Sequence, residues 1–538
     1  MAGTGGRTAG CPLPLLHSAP RQRRCAYEEE PYRPRHQKTL VAAAAIATVL
    51  TGSAACAETQ ANLTEQVTAV RDCDIAVVGA GMSGLSAAVE ALNLGADVVV
   101  LELQRMAGGN GLVTSCVMGV DTRIQKSLGI EVKPADILKA EMETFNYAVD
   151  GVRWSTLIRD SAENIEWLIA QGCLMREDFV DNYKGTGLVN TAHWWVGETQ
   201  RDGGNGFVNP MVSRVNELGG TILYETAGKQ LIQDEQGAVT GVYAVTADGS
   251  VLQVNAKAVI LATGGFADNK EYLAQLGYKV EETEVFGVAG HNGDGIAMAL
   301  AAGGKSWLDN ASLMEYPMNP EIGRSSSFIS RVPKSLWVNG RGQRYVDENC
   351  AEMVPARAAL AVRSQEVSYA LFDQTLMTEA IAENESNAKL IEKAVADGAI
   401  VKADTIEALA EAAGIDAATL TETVGTYNAA CAAGEDTEFG KKAECLQALE
   451  NGPFYLTRNS GIYFLTTIGG IDTTPDCEVR AEKGGVIPNL YAVGVDGVMN
   501  YKGLYTIDIP GSCNANNIWT GRHAAQMAAA RFRADAQE

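Results

Sequence analysis

From Asp74 to Glu102 the chain reads DIAVVGAGMSGLSAAVEALNLGADVVVLE, and its apolar positions change period twice. Ile75 to Val78 is a continuous apolar, β-branched-rich run, which predicts a buried strand. Gly79-x-Gly81-x-x-Gly84 follows as a turn, Ser86 to Leu94 suits a helix, and Gly95 stops it. Val98 to Leu101 predicts a second buried strand, closed by Glu102. Strand, glycine turn, helix and strand in this order make a dinucleotide site. The first glycine permits the turn, the second lets backbone approach a pyrophosphate, and the third lets helix and strand pack closely. Free N–H groups and the helix dipole then attract the phosphates. Glu102 lies eighteen residues beyond Gly84, placed to accept hydrogen bonds from a ribose. On this pattern alone the cofactor is FAD or NAD.

Further along, Gly108-Gly109-Asn110-Gly111 forms a donor-rich loop positioned to follow a cofactor from its adenosine half toward its ring. Residues 130 to 200 look helical and irregular. Thr221 to Ile260 alternates in short strands, with turns at Gln236-Gly237 and Asp248-Gly249. That meander ends in AKAVILATGGF (Ala256 to Phe266), a buried strand running into Thr263-Gly264-Gly265. Another helix start is expected at GHNGDGIAMALAAGG, where Asp294 stands between two glycines.

With 538 residues the chain can hold two or three domains, and 46% hydrophobic with 20% charged residues is a globular composition. A net charge of −23 argues against nucleic acid or an anionic membrane surface as partner. Eleven cysteines show no CxxC pair and no CxxCH, so nothing resembles a zinc, iron–sulfur or haem framework. Near the N-terminus a basic stretch precedes TLVAAAAIATVLTGSAACAET. Its apolar run, Leu40 to Leu50, is too short to span a bilayer and fits a signal-peptide core. Cleavage after Ala57 would release the protein, and cleavage before Cys56 would leave a lipid-anchored cysteine. The expectation is export, to the periplasm or the cell surface.

The order GAGxSGLxAA, Glu102, GGN, ATGGF, GDG and a terminal NLYAVGVDG resembles the flavoprotein family of soluble fumarate reductases, over about residues 72 to 538. That family also includes urocanate reductase and 3-ketosteroid dehydrogenases. The resemblance implies FAD and an α/β fold, a Rossmann-like FAD-binding domain with a three-layer ββα core and an inserted α+β capping domain. It divides the chain into a signal region and linker (1–70), FAD-binding parts (71–311 and 466–538) and a capping domain (312–465) carrying SLWVNGRGQRYVDE. By resemblance the FAD contacts are Gly79, Gly81, Ser83, Gly84 and Glu102 from the fingerprint, and Gly109, Asn110, Gly111 and Ser115 from the next loop. Ala227, Asp294, Asp496, Cys513 and Asn514 complete them. Cys513 and Asn514 open a long helix whose N-terminus would favour an anionic reduced flavin.

The substrate positions depart from fumarate reductase. Holding a dicarboxylate calls for cations, bidentate arginine best of all. In the family an arginine four residues after the VNxxGxRFxNE glutamate serves as proton donor. Here that glutamate matches Glu348, and Glu352 stands four residues on. A second family arginine aligns with Asp508, and two histidines align with Thr466 and Tyr316. A shifted alignment would rescue one position, through Arg357 or Arg331, but not four. Tyr316, Tyr463 and Tyr505 lie in segments expected to face the flavin. Tyr316 is the first candidate proton donor and Tyr505 the next, while Asp508 and Glu352 are candidates to bind a cationic or hydroxyl-bearing substrate or to orient a tyrosine. Trp194-Trp195 either lines a substrate wall or fills the core.

The expected activity is reduction of an activated C=C bond in an organic acceptor, an aromatic or polycyclic enoate or enone. The rival readings are a 3-ketosteroid-type dehydrogenase working oxidatively and a fumarate or urocanate reductase. With one dinucleotide fingerprint in the chain, electrons are expected from a separate cytochrome or flavoprotein.

Overall fold

The first apolar run becomes β1 (Val67–Val78), the glycine turn opens α1 (Met82–Asn93), and the second run is β2 (Val98–Leu101). β3 (Cys116–Met118) leads into α2 (Pro134–Thr144), α3 (Gly151–Ala170), β4 (Met175–Asp181) and β5 (Ala192–Trp195). The expected meander supplies β6 (Thr221–Leu223), β7 (Thr226–Gln233), β8 (Val239–Thr246) and β9 (Val251–Leu261). Next come β10 (Thr283–Val285), α4 (Asp294–Ala301), β11 (Ser312–Met318) and β12 (Leu336–Asn339). α5 (Pro355–Arg363), β13 (Ser368–Phe372), β14 (Ile400–Ala403) and β15 (Phe454–Arg458) follow. The chain closes with β16 (Gly461–Ile468), β17 (Glu478–Arg480), β18 (Val486–Ala492) and α6 (Ser512–Asp535). This computed structural model describes residues 63–184, 187–197, 202–350, 355–382 and 384–535. The expected signal region, with Leu40 to Leu50, Cys56 and Ala57, lies outside the described residues.

A parallel sheet in the order β18-β9-β1-β2-β6 forms the centre, with β17 antiparallel at one edge. Its strands read as unbroken apolar runs because both faces are covered. Ile75, Val77, Val98 and Val100 pack with α1 and α6, while Ala76, Val78, Val99 and Leu101 pack into a second core with β8. β8 pairs β9 antiparallel and carries β7. Helices, parallel sheet and antiparallel strands thus make the three layers. Alanines 87, 88, 524 and 525 are buried between α1 and α6. Gly521 sets the approach of the two helices, since a Cβ there would lie 2.2 Å from the Ser83 carbonyl oxygen.

Two local expectations change. The helix begins at Met82, not Ser86, because Gly81 is its N-cap and the glycine-rich first turn reads as loop. Within 130–200, β4 and β5 join β3 in an antiparallel sheet. β4 is largely exposed and β5 wholly buried, so neither shows a period-2 pattern.

Between β11 and β16 the chain builds a separate antiparallel sheet, β12-β13-β15-β14. β11 and β16 themselves pair antiparallel, from Ser312 opposite Ile468 to Met318 opposite Gly461, so the two ends of this excursion lie side by side. Glu348 is buried here in an ion network. It accepts from Arg344 at 2.8 and 3.0 Å and lies 3.3 Å from Lys441, and Arg344 also meets Asp436 at 2.9 Å.

Candidate active site

The glycine turn, the loops after β2 and β9 and the strands β11 and β16 surround a cavity of about 280 Å³. Each fingerprint glycine has a distinct steric duty. Gly79 has φ 107°, and a Cβ there would lie 2.2 Å from the Ala262 carbonyl oxygen. At Gly84 a Cβ would come within 1.9 Å of the Gly79 carbonyl oxygen. At Gly81 it would meet only the Gly108 carbonyl oxygen, at 4.0 Å. The first and third glycines therefore serve the chain's own packing, and the second leaves open space at the start of α1. No side chain caps that helix and no acidic residue occupies its first turn, so its N–H groups and dipole are available to an anion.

Glu102 sits at the end of β2 with its carboxylate accepting from Ala80 N–H at 2.8 Å and Gln104 N–H at 2.7 Å. Burial raises its pKa against the pull of those two donors. Gly109, Gly111, Ser83, Ser115 and Ala227 all line the cavity. Asn110 lines it too and ties its walls together, accepting from Val288 N–H at 2.8 Å and donating to the Leu465 carbonyl at 3.2 Å. Asp294, at the start of α4, lines it and is paired with Lys229, off the wall, at 2.9 Å. Cys513 and Asn514 reach it from the first turn of α6, where Asn514 donates to the Cys116 carbonyl at 2.7 Å.

Asp496 is placed differently. It is fully buried off the cavity wall, accepting from Thr263 N–H at 2.6 Å, Gly265 N–H at 2.7 Å and the Thr263 hydroxyl at 2.9 Å. Its carboxylate holds the shape of the ATGG loop.

Sequence reasoning missed His291. Its ring lies on the wall between two glycines: a Cβ on Gly264 would be 2.6 Å from its Cδ2, and one on Gly109 would be 3.6 Å from its Nε2. Its Nδ1 is buried without a partner, and burial depresses its pKa. The signal was present in GHNGDG, where Asp294 drew the attention. His193, by contrast, is wholly enclosed, bonded to the Thr122 hydroxyl at 2.9 Å and the Thr191 carbonyl at 3.0 Å, with its pKa lowered to about 4 by burial.

The rest of the wall is aromatic. Tyr316 on β11 stacks on Tyr463 of β16, ring centres 4.9 Å apart and 14° from parallel, with Phe286 edge-on to Tyr316 and tilted against Tyr463. Tyr505 packs on Tyr501 at 5.0 Å, and Tyr183 stacks on Trp194 at 5.2 Å. Tyr183, Phe286, Tyr316 and Tyr505 line the cavity, while Tyr463 and Trp194 stand behind them. Trp194 thus backs the wall, and Trp195 packs against Phe207 in the core. Burial drives the Tyr505 phenol well above 10, and Cys513, Tyr501 and Tyr316 nearby oppose its ionisation further.

Of the proposed substrate positions, Tyr316, Tyr505 and Thr466 lie on the wall. Asp508 does not. Residues 505 to 508 alternate, so Tyr505 and Ile507 face the cavity while Thr506 and Asp508 turn away. Asp508 meets Arg357 at 3.4 Å and Thr144 at 3.3 Å. Arg331 lies with its guanidinium carbon 5.5 Å from the centre of the Tyr316 ring, off the wall. Glu352 lies outside the described residues. Among the described residues, no arginine or lysine lines the cavity.

These features fit FAD. An open glycine cradle under a helix N-terminus suits a pyrophosphate, a buried acid at the end of β2 suits a ribose, and the aromatic walls suit a flat ring system. The fold and site define an FAD-binding oxidoreductase. The model of the FAD binding domain family matches residues 74–507, and the chain belongs to that family. Vinyl phenol reductase of Lactiplantibacillus plantarum is 30% identical over 85% of this chain and 96% of its own length. The cytochrome-type fumarate reductase of Shewanella frigidimarina is 29% identical over 78% of this chain and 71% of its own length. Among solved structures, the 3-ketosteroid-Δ4-(5α)-dehydrogenase of Rhodococcus jostii RHA1 superposes with a TM-score of 0.66 at 23% identity, covering 85% of this chain and 97% of that one. The protein is an FAD-dependent oxidoreductase of the fumarate reductase-like class that acts on C=C bonds.

Proposed function

We propose that this protein is an exported ene-reductase whose acceptor is a conjugated alkene on an aromatic or polycyclic body, the class to which vinyl phenols belong. The cavity wall carries this reading: four aromatic side chains of tyrosine and phenylalanine face it, and no arginine or lysine does among the described residues. A small dicarboxylate would give up the hydration of two charges with no cation to receive them, whereas a flat apolar acceptor gains contact with the rings. The relative named vinyl phenol reductase supports the same acceptor class.

When bound, FAD supplies the hydride chemistry. The chain's own residues hold the acceptor against the aromatic wall and keep a proton ready. Tyr505 is the first candidate donor, because it lines the cavity and its phenol is protonated across the physiological range. Tyr316 is held face to face with Tyr463 and orients the acceptor, with donation as its second possible role. The segment from 312 to 465 acts as a cap that excludes water. Export follows from the apolar run Leu40 to Leu50, and a separate cytochrome or flavoprotein supplies the electrons.

A second reading rests on the two phenols sharing one cavity, since such a pair can serve as acid and base for desaturation in the manner of a ketosteroid dehydrogenase. Anaerobic assays with reduced viologen and a panel of vinyl phenols, cinnamates, steroid enones and fumarate, beside aerobic assays with an artificial electron acceptor, separate the two. Reduction of the aromatic alkenes supports an ene-reductase. Activity confined to the aerobic assay supports the dehydrogenase, and fumarate as best acceptor contradicts both.

A further inference from the structure

Beyond Asp181, where β4 ends, two side-chain-bearing residues in a row stand in left-handed backbone, Tyr183 at φ 60° and Lys184 at φ 59°. The Asp181 carboxylate enforces this shape. It accepts from the Tyr183 and Lys184 N–H groups, each at 3.0 Å, and from the Trp194 indole N–H at 2.8 Å. The Trp194 ring on β5 lies 6° from parallel to the Tyr183 ring, centres 5.2 Å apart. One carboxylate therefore fixes both the backbone that carries the Tyr183 ring and the indole that supports it.

Local preference argues against tyrosine at this position. Glycine or asparagine takes up left-handed backbone at little cost, and a bulky aromatic residue does not. Nor does the core call for the ring, which is half-buried and stands on the cavity wall. Conflicts of this kind between local preference and fold gather at functional sites. Neighbouring contacts fix which end of the cavity the ring serves. The Leu188 N–H donates to the Asp508 carbonyl at 2.8 Å, and the Thr191 hydroxyl donates to the Pro510 carbonyl at 3.1 Å. A Cβ on Gly187 would lie 2.4 Å from Pro510 Cγ. The chain around Tyr183 is thereby sewn to the segment that carries Tyr505.

We propose that Tyr183 determines specificity as a stacking platform: its ring, set by Asp181 and backed by Trp194, packs on an aromatic ring of the acceptor at the Tyr505 end of the cavity. The proposal rests on the C=C reduction read above and narrows its acceptor to an alkene conjugated with a flat aryl group. Such a group gains ring stacking beyond the apolar area it buries, and an alkene without an aromatic ring gains none of it. Stacking made equally in the bound acceptor and in the transition state falls on KM and leaves kcat. Asp181 is a positioning residue, acting through Tyr183 and Trp194.

The test compares FAD-loaded wild type with Tyr183→Ala, Tyr183→Phe and Asp181→Ala. One arm measures binding of 4-ethylphenol, a reduced vinyl phenol, by the change it causes in flavin absorbance. Tyr183→Ala should bind it about tenfold more weakly and Tyr183→Phe within about twofold of wild type, with FAD affinity unchanged in both. Asp181→Ala should fall between them, because ring and backbone lose their shared anchor. The other arm measures turnover of a vinyl phenol and of 2-cyclohexenone, an activated alkene with no aromatic ring. Tyr183→Ala should raise KM for the vinyl phenol about tenfold with kcat near wild type, and leave 2-cyclohexenone unchanged. Wild-type affinity for 4-ethylphenol in Tyr183→Ala, weakened FAD in place of weakened 4-ethylphenol, or equal losses in the two Tyr183 variants would overturn the proposal. The binding arm needs no turnover. Its expected result with no alkene reduced counts against the functional reading alone, whereas vinyl phenol reduced at wild-type KM by Tyr183→Ala counts against the platform alone.

Discussion

Glu141, on α2, is fully buried with neither carboxyl oxygen hydrogen-bonded, and Glu141→Gln isolates this one ionisable group in the folding equilibrium. The glutamine keeps the side chain's shape and loses only its ability to ionise. In the native protein the carboxyl lies at about 8 against a reference of 4.5. A group whose folded pKa is raised contributes its full stabilisation below the unfolded value and loses it as pH climbs to the folded value. Between about pH 6 and about pH 9 the loss covers the two units from 6 to 8, and at about 1.4 kcal/mol per unit this comes to about 3 kcal/mol. The assay is denaturant unfolding of FAD-bound wild type and variant at both pH values. Every other group titrates alike in the two proteins, so the change in their difference reports Glu141. The variant should gain about 3 kcal/mol on wild type over that interval. A difference that stays constant with pH would refute a buried, protonated Glu141.

Four further substitutions separate folding, cofactor binding and chemistry. Gly84→Ala, whose Cβ falls 1.9 Å from the Gly79 carbonyl oxygen, should abolish soluble folded protein, while Gly81→Ala should fold and bind FAD at least about tenfold more weakly, as flavin fluorescence titration would report. His291→Ala should weaken FAD about tenfold by the same titration, given that a hydrogen bond to a charged group is worth about 1.5–3 kcal/mol. Tyr505→Phe should lower turnover on the order of a hundredfold with the bound-flavin spectrum intact, and an unchanged rate would remove Tyr505 as donor.

The cofactor half of this site was legible in sequence because its constraints are local. Gly79, Gly81 and Gly84 answer to backbone clashes within one turn, and Glu102 closes a strand whose apolar run announces it. Asp496 was placed in the right neighbourhood, and only the fold shows its carboxylate accepting from the backbone of the ATGG loop. The substrate half was less legible because it is assembled from distant segments. That Tyr505 faces the cavity while Asp508 turns from it depends on a four-residue alternation with no apolar period to reveal it. Glu141 sits in a helix whose sequence looks amphipathic and solvated, and its burial comes from a partner segment more than 360 residues away. The Arg357–Asp508 pair shows the same limit: two charges that would each suggest a substrate clamp neutralise one another.

Mixing photoreduced, FAD-loaded protein anaerobically with single acceptors in a stopped-flow spectrometer, and following the return of oxidised flavin absorbance, tests the central claim most directly. Vinyl phenols or cinnamates should reoxidise the flavin fast and to completion, with fumarate slower by about a hundredfold or more, since no arginine or lysine lines the cavity among the described residues. Rapid reoxidation by fumarate with none by the aromatic alkenes would contradict it.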